Sequence, residues 1–178
     1  MILIISTCSE PMHEMEFVKP IEKILKEKNK LFKTIHYSKL HNSNIEKTSK
    51  IIICGTSLKD NKFLKDIKKF EFIKNYNKTI LGICAGHQII SLIFGAKLKK
   101  QTEIGHYFEF FDEPFLSLEG EHEVYHLHNN YTTLPKDFIK FTKSKIPQAI
   151  KHKEKQIYGV LFHPEVRNKK LIEEFIKI

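Results

Sequence analysis

TILGICAGHQIISLIFG, residues 79–95, sets an apolar run against an apolar helical stretch. Cys84 stands at the seam, with Gly82 and Gly86 on either side. A cysteine buried only for packing needs no such neighbours. A side chain displayed on a tight strand-to-helix turn does, because glycines leave room where the backbone doubles back. The segment Thr79 to Ile83 predicts a buried strand, and Gly86 to about Phe94 the helix after it. Such a helix turns its N-terminus toward Cys84, where the free amides and dipole favour an anion, and the Ala85 N–H is the natural donor to an oxyanion.

The same alternation extends outward. Ile2–Ile5, Leu31–Tyr37 and Ile51–Cys54 read as strands, whereas Met15–Lys28 and Phe63–Phe72 carry apolar residues at helical spacing. Pro20 either opens the main part of the first helix or kinks it. This β-α-β-α order predicts a parallel sheet covered on both faces. The second half changes style. Lys97–Lys100, Gly105–Phe111, Glu123–Leu127, Phe138–Lys143, Gln148–His152 and Ile157–Phe162 are short strand candidates, and Leu171–Ile178 is a closing helix. The expected fold is α/β: an open, mostly parallel sheet with helices on both faces and added antiparallel strands. Its reactive groups belong beyond the carboxyl ends of the strands. With no internal repeat, low-complexity linker or proline-glycine hinge, residues 1–178 are expected to form one domain.

Composition narrows the function. The 178 residues are 41% hydrophobic and 29% charged, ordinary for a globular protein. No apolar run approaches the roughly 20 residues of a membrane span. MILIISTCSE lacks the basic start and small-residue cleavage site of a signal peptide and reads as a buried first strand. Three widely spaced cysteines, Cys8, Cys54 and Cys84, point to reduced thiols and a cytoplasmic setting. The net charge of +9 comes from lysines interleaved with acids, and Arg167 is the lone arginine. That pattern is a solvated surface rather than a nucleic-acid groove, because arginine is the usual reader of phosphate and guanine.

Two further stretches complete a constellation. In YGVLFHPEV, residues 158–166, His163 and Glu165 are two apart at the end of an apolar strand. Extended backbone puts them on one side, so Glu165 can hold the His163 tautomer while the other ring nitrogen faces a nucleophile. In IIICGTS, Gly55 ends an apolar strand and can offer a second oxyanion amide. Each stretch alone is common. An elbow cysteine together with a His-x-Glu is far more specific.

Gly82-Ile83-Cys84-Ala85-Gly86-His87-Gln88 followed by Phe162-His163-Pro164-Glu165 closely resembles the class I (triad-type) glutamine amidotransferases, whose pattern is G-x-C-x-G-x-Q and then F-H-P-E. The resemblance covers nearly the whole chain and implies a flavodoxin-like sheet. Within the family, order and spacing are most similar to the branch serving GMP synthesis, especially its free-standing glutaminase form. Glu103-Ile104-Gly105 and the stretch Pro147–Val166 fit that branch. The resemblance implies glutamine hydrolysis by a Cys84–His163–Glu165 triad, with Gly55 and Ala85 forming the oxyanion hole. Gln88, His128, Asn129 and Asn130 would contact glutamine, and ammonia would pass to an ATP-pyrophosphatase synthetase that aminates xanthosine monophosphate. No phosphate-binding glycine loop is present, so no cofactor is expected.

The chain departs from the pattern in three places. Gly55-Thr56-Ser57 replaces Gly-Gly-Pro. Thr7–Pro11 replaces an Asp-x-Gly-x-Gln stretch. Tyr125-His126-Leu127-His128-Asn129-Asn130 replaces W-x-S-H-x-D. A paralogue serving another acceptor, a γ-glutamyl peptide hydrolase and a non-catalytic regulatory protein on the same scaffold therefore remain alternatives. Intracellular peptidases on a related sheet fit less well, since Ala85 stands where they carry histidine. The histidines His122, His126 and His128 raise the question of a metal. His126 and His128 share one face of a strand, but no third ligand is evident in the sequence, and the expectation is a polar loop beside the glutamine pocket. His13 and Glu14 are read as a helix start.

Overall fold

The computed structural model describes residues 1–178. In chain order it comprises β1 (Ile2–Ser6), α1 (Glu14–Phe17), α2 (Lys19–Glu27), β2 (Phe32–His36), α3 (Asn42–Glu46), β3 (Lys50–Ile53), β4 (Thr79–Ile83) and α4 (Ala85–Ile93). There follow β5 (Leu98–Phe115), β6 (Leu118–Thr132), β7 (Phe138–Lys140), β8 (Ala149–His152), β9 (Ile157–Val160) and α5 (Lys169–Phe175). Seven strands form one sheet in the order β2-β1-β3-β4-β9-β8-β7. The first five run parallel, and β8 and β7 are antiparallel additions at one edge.

The apolar strands exist because both their faces are covered. Ile2 and Ile4 face a core built with Ile21, Leu25, Leu171 and Phe175, on the side of α1, α2 and α5. Leu3 and Ile5 face Ile45, Phe70, Ile89 and Ile93, on the side of α3 and α4. His13 and Glu14 sit at the start of α1, as expected, and Pro20 lies in the first turn of α2, where a missing N–H costs nothing.

Two expectations need correcting. Residues 67–75 wind as a 3-10 helix rather than an α-helix. Phe70, Ile73 and Tyr76 are buried at every third position, the period of the tighter helix. The separate strands expected at 97–100, 105–111 and 123–127 are pieces of one long hairpin, β5–β6, which forms its own two-stranded sheet. A register shift between Lys100 and Glu103, and Gly105 at φ 113°, lie inside the arm where the sequence suggested turns. Burial in β5 falls only on alternate positions from Glu103 to Phe115, but Glu103, Gly105 and Glu109 face inward while Ile104, Phe108 and Phe110 face solvent, so hydrophobicity does not track burial along the arm. The hairpin docks through Phe111, Phe115, Leu118 and Val124 onto the core beside α2 and α5.

The strand-to-helix turn after β4 depends on absent side chains. A Cβ on Gly86 would lie 2.2 Å from the Ile53 carbonyl oxygen, and one on Gly82 would lie 2.5 Å from the Gly86 backbone. Helix α4 therefore starts in direct contact with β3 and β4. Gly86→Ala is expected to cost about 1–3 kcal/mol, read as a lower urea midpoint with unchanged m-value.

Helix α4 also buries His87 completely. Burial, and secondarily the nearby His128, push its pKa from the ordinary 6.5 down to about 3, with the Pro147 carbonyl as the one opposing influence. The unfolded chain protonates this ring near 6.5 and the fold does not, so between those values stability rises with pH. The contribution is complete above 6.5 and is lost as pH falls toward 3. At pH 5 the loss from His87 alone is about 2 kcal/mol. Urea unfolding at pH 7 and pH 5 should therefore show a pH-dependent loss that is smaller by about that amount in His87→Leu than in the wild-type protein.

Candidate active site

Cys84, Gly55 and His163 follow the adjacent strands β4, β3 and β9, so three neighbouring carboxyl ends deliver them to one place. Cys84 has φ 49° and ψ −101°, a left-handed conformation that a non-glycine residue adopts only when its surroundings enforce it. The enforcement is visible. Cys84 N–H donates to Val160 O at 2.8 Å, and Gln88 N–H to Cys84 O at 3.0 Å.

His163 is fully buried. Its Nδ1 pairs with Glu165 Oε1 at 2.8 Å, itself buried, but β9 ends at Val160 and the two residues meet across a turn in which Val166 N–H donates to His163 O at 3.2 Å, not along the extended strand end expected. Nε2 has no other hydrogen-bond partner and is the nitrogen left for Cys84. Burial alone would lower the His163 pKa. The Glu165 carboxylate and the adjacent Cys84 outweigh it and hold the imidazole well above its usual 6.5. The thiol itself leans on Leu127 O at 3.6 Å. Phe17 packs against the imidazole with centroids 5.3 Å apart.

Gly55 completes the cluster. A Cβ there would fall 2.7 Å from His163 Cε1, so only glycine lets the imidazole approach. Its carbonyl accepts from Thr7 Oγ1 at 3.2 Å, and no turn or loop hydrogen bond uses its amide. Ala85 is the first residue of α4, where helix geometry leaves the amide free. Burial pushes the Cys8 thiol up to about 11 and the Cys54 thiol well above 9.

Cys84, Ala85, Gln88, His128, Asn129 and Asn130 line one pocket, as the sequence pattern implied. The sequence did not single out Leu58, Asp60 and Asn61, which form its opposite wall. Asp60 accepts from Ser9 N and Ser9 Oγ at 2.6 Å and from Thr56 Oγ1 at 2.8 Å. Burial opposes its ionisation, but these bonds prevail and hold the carboxyl below its ordinary pKa. An aspartate five residues after a strand-ending glycine was the one available signal. The pocket is shut: its cavity is about 20 Å³, room for roughly one water. Asn129 Nδ2 donates to Leu58 O at 3.1 Å, joining the 56–61 loop to the hairpin, and Gln88 Nε2 donates to Asn130 O at 2.9 Å, joining α4 to the hairpin.

A cysteine on a strand-to-helix elbow, backed by a buried His–Glu pair, is the arrangement of nucleophilic catalysis by a thiol. Residues 13–177 match the family model described as glutamine amidotransferase class-I. The chain belongs to that family. It is 37% identical over 121 residues to the glutamine-hydrolyzing GMP synthase subunit of Methanosphaera stadtmanae, spanning 61% of this chain and 64% of that one. Against the corresponding GMP synthase subunit of Pyrococcus abyssi it is 35% identical over 120 residues, 62% of this chain and 63% of that one. The chain thus spans less than two thirds of the length of these relatives. Among solved structures, a candidate GMP synthase subunit from Thermoplasma acidophilum superposes with TM-score 0.86 and 25% identity, covering 99% of this chain and 92% of the other. A glutamine amidotransferase from Thermotoga maritima shares the fold at TM-score 0.74 and 21% identity, covering 99% and 81%. No helix is long and apolar enough to cross a membrane.

Asn129→Ala removes the bond to Leu58. Losing one such hydrogen bond, about 1 kcal/mol, should raise the rate of Cys84 alkylation by iodoacetamide about five-fold. Peptide mass spectrometry would follow Cys84, with Cys8 and Cys54 as unlabelled internal controls.

Proposed function

We propose that the 178 residues act as one glutaminase unit that hydrolyses glutamine and supplies ammonia to a synthetase. The observation that carries this reading is the strained elbow of Cys84 beside the buried His163–Glu165 pair. The Cys84 thiolate attacks the side-chain amide carbonyl of glutamine. The Gly55 and Ala85 amides receive the oxyanion, and such donors are worth about 3–4 kcal/mol each in comparable sites. The His163 imidazolium gives its proton to the departing nitrogen, which leaves as ammonia. His163 then takes a proton from water, whose oxygen attacks the thioester. Glutamate leaves and the thiolate is restored. Glu165 keeps the imidazole in one tautomer and offsets its charge.

Gln88, His128, Asn129 and Asn130 are the proposed glutamine contacts. The cavity beside Cys84 is too small for glutamine, so the tip of the 56–61 loop at Leu58 and Asn61 lifts before glutamine enters while Asp60 holds its base, and docking of the partner is the natural trigger. The names of the GMP synthase relatives and the match of their sequences support an ATP-pyrophosphatase partner and xanthosine monophosphate as acceptor.

The test is glutamate release by the purified chain, alone and with the synthetase partner, ATP and xanthosine monophosphate. Partner-dependent release is expected. Cys84→Ala should lower glutamine-dependent GMP formation at least about 10⁴-fold, the loss typical of a missing nucleophile, while leaving ammonia-dependent synthesis intact. Glutamate release indifferent to this partner would point to another acceptor, and cleavage of γ-glutamyl peptides by the chain alone to a stand-alone hydrolase. Equal GMP formation by Cys84→Ala and wild type from glutamine would reject the thiol mechanism.

A further inference from the structure

Behind the strand that touches Cys84 and His163 lies a second cluster. The bulge after Lys100 aims Glu103 of β5 across the hairpin at β6, where it pairs in register with His128. Glu103 Oε2 lies 2.8 Å from His126 Nδ1 and 3.0 Å from His128 Nε2. The two imidazoles and the carboxylate thus bring three ligand atoms within 4.8 Å of one another. The third ligand, which the sequence alone does not reveal, is supplied by the facing arm.

The cluster is not satisfied by its own hydrogen bonds. His126 is 0% and His128 2% exposed, yet His128 Nδ1 and Nε2 and His126 Nε2 have no aligned partner. Buried polar atoms left this way cost about 1–3 kcal/mol each, and the atoms that do converge, His126 Nδ1 and His128 Nε2, share a single carboxylate oxygen, Glu103 Oε2. The surroundings resemble the supporting shell of a metal site. Gln148 Nε2 donates to Glu103 Oε2 at 2.7 Å, Glu109 Oε1 lies 3.8 Å from His126 Nε2, and Tyr107 stacks on the His126 ring with centroids 4.5 Å apart.

We propose that Glu103, His126 and His128 bind a divalent transition-metal ion, zinc by donor type, that clamps the two arms of the hairpin. Two imidazoles and one carboxylate are a ligand set for zinc, with water at the fourth position. Filling the site would spread the two N···O separations from 2.8 and 3.0 Å to about 3.4 Å, the edge of a tetrahedron with ~2.1 Å bonds. The ion would act on position rather than chemistry. Tyr125 O, next to His126, accepts from His163 N at 2.8 Å, and Leu127 O, between the two ligands, accepts from Cys84 Sγ at 3.6 Å. Fixing His126 and His128 fixes both carbonyls. Metal binding is itself the readout; because His128 is also a proposed glutamine contact, the two readings share that residue, and the zinc titration and the Cys84→Ala assay test them separately.

Untagged, chelator-treated full-length protein would be titrated with zinc chloride by calorimetry, with far-UV circular dichroism to confirm each variant is folded. One equivalent is expected to bind. Glu103→Gln and His126→Leu should weaken binding at least about ten-fold, whereas His122→Ala and Cys84→Ser should bind as the wild type does. Cobalt in place of zinc should give a tetrahedral visible spectrum without a thiolate charge-transfer band. If His126→Leu does not fold, Glu103→Gln decides. No saturable binding to the folded wild-type protein, wild-type affinity in Glu103→Gln, or loss of binding in Cys84→Ser would each overturn the proposal.

Discussion

The structure turns on the contact between the first turn of α4 and the end of β3. Gly86 meets the Ile53 carbonyl so closely that no side chain fits between them. That contact fixes where α4 begins and forces the chain through a left-handed residue at position 84. A non-glycine residue there costs about 1–3 kcal/mol. The cost is covered by packing the turn gains elsewhere: Ile89, Ile90 and Ile93 are buried against the strand residues Ile51, Ile53 and Ile80. Strain at the thiol is thus held by the core, and a change that loosens α4 reaches Cys84 without touching it.

The second dependence runs through the hairpin. Strand β6 is not part of the main sheet, yet its carbonyls at 125 and 127 contact His163 and Cys84. The same strand carries Asn129 and Asn130 to the pocket mouth. Its anchoring is apolar at the far end, through Phe111, Phe115, Leu118 and Val124, and polar near the site, through the Glu103 cluster. A long two-stranded ribbon is only marginally stable alone, so the placing of the carbonyls beside His163 and Cys84 rests on those two anchors.

The elbow and the histidine are legible in the sequence because local chemistry dictates them. Glycines around Cys84 and the two-residue spacing of His163 and Glu165 mean the same thing in any context that allows a strand and a turn. The parallel sheet is equally legible, since Ile2–Ile5, Ile51–Ile53 and Thr79–Ile83 are apolar on both faces. What stays hidden depends on partners distant in sequence. Glu103 meets His126 and His128 only through hairpin pairing with a register shift, and Asp60 meets Ser9 across 51 residues. The long arms look like fragments because the inward face of β5 carries Glu103, Gly105 and Glu109 while Ile104, Phe108 and Phe110 point to solvent, which scrambles the apolar alternation on which strand reading depends.

The pocket loop separates into a fixed base and a weakly held tip. At its base, the Asp60 carboxylate accepts two bonds from Ser9 and one from Thr56, charge-assisted and short. At its tip, closure rests on the Asn129–Leu58 bond and a 3.5 Å contact between Asn130 and Asn61. Neutral bonds of that kind contribute about 0.5–1.5 kcal/mol each. Opening the tip therefore requires only a small differential interaction, well within what a few contacts with another surface supply, while Asp60 keeps the base in place. The replacement of Gly-Gly-Pro by Gly55-Thr56-Ser57 fits this division: Thr56 gives the base a hydroxyl for Asp60, and Gly55 alone preserves the close approach His163 requires. A loop so built holds Gly55 beside Cys84 and His163 through its base and leaves Leu58 and Asn61 at the tip the least tightly tied.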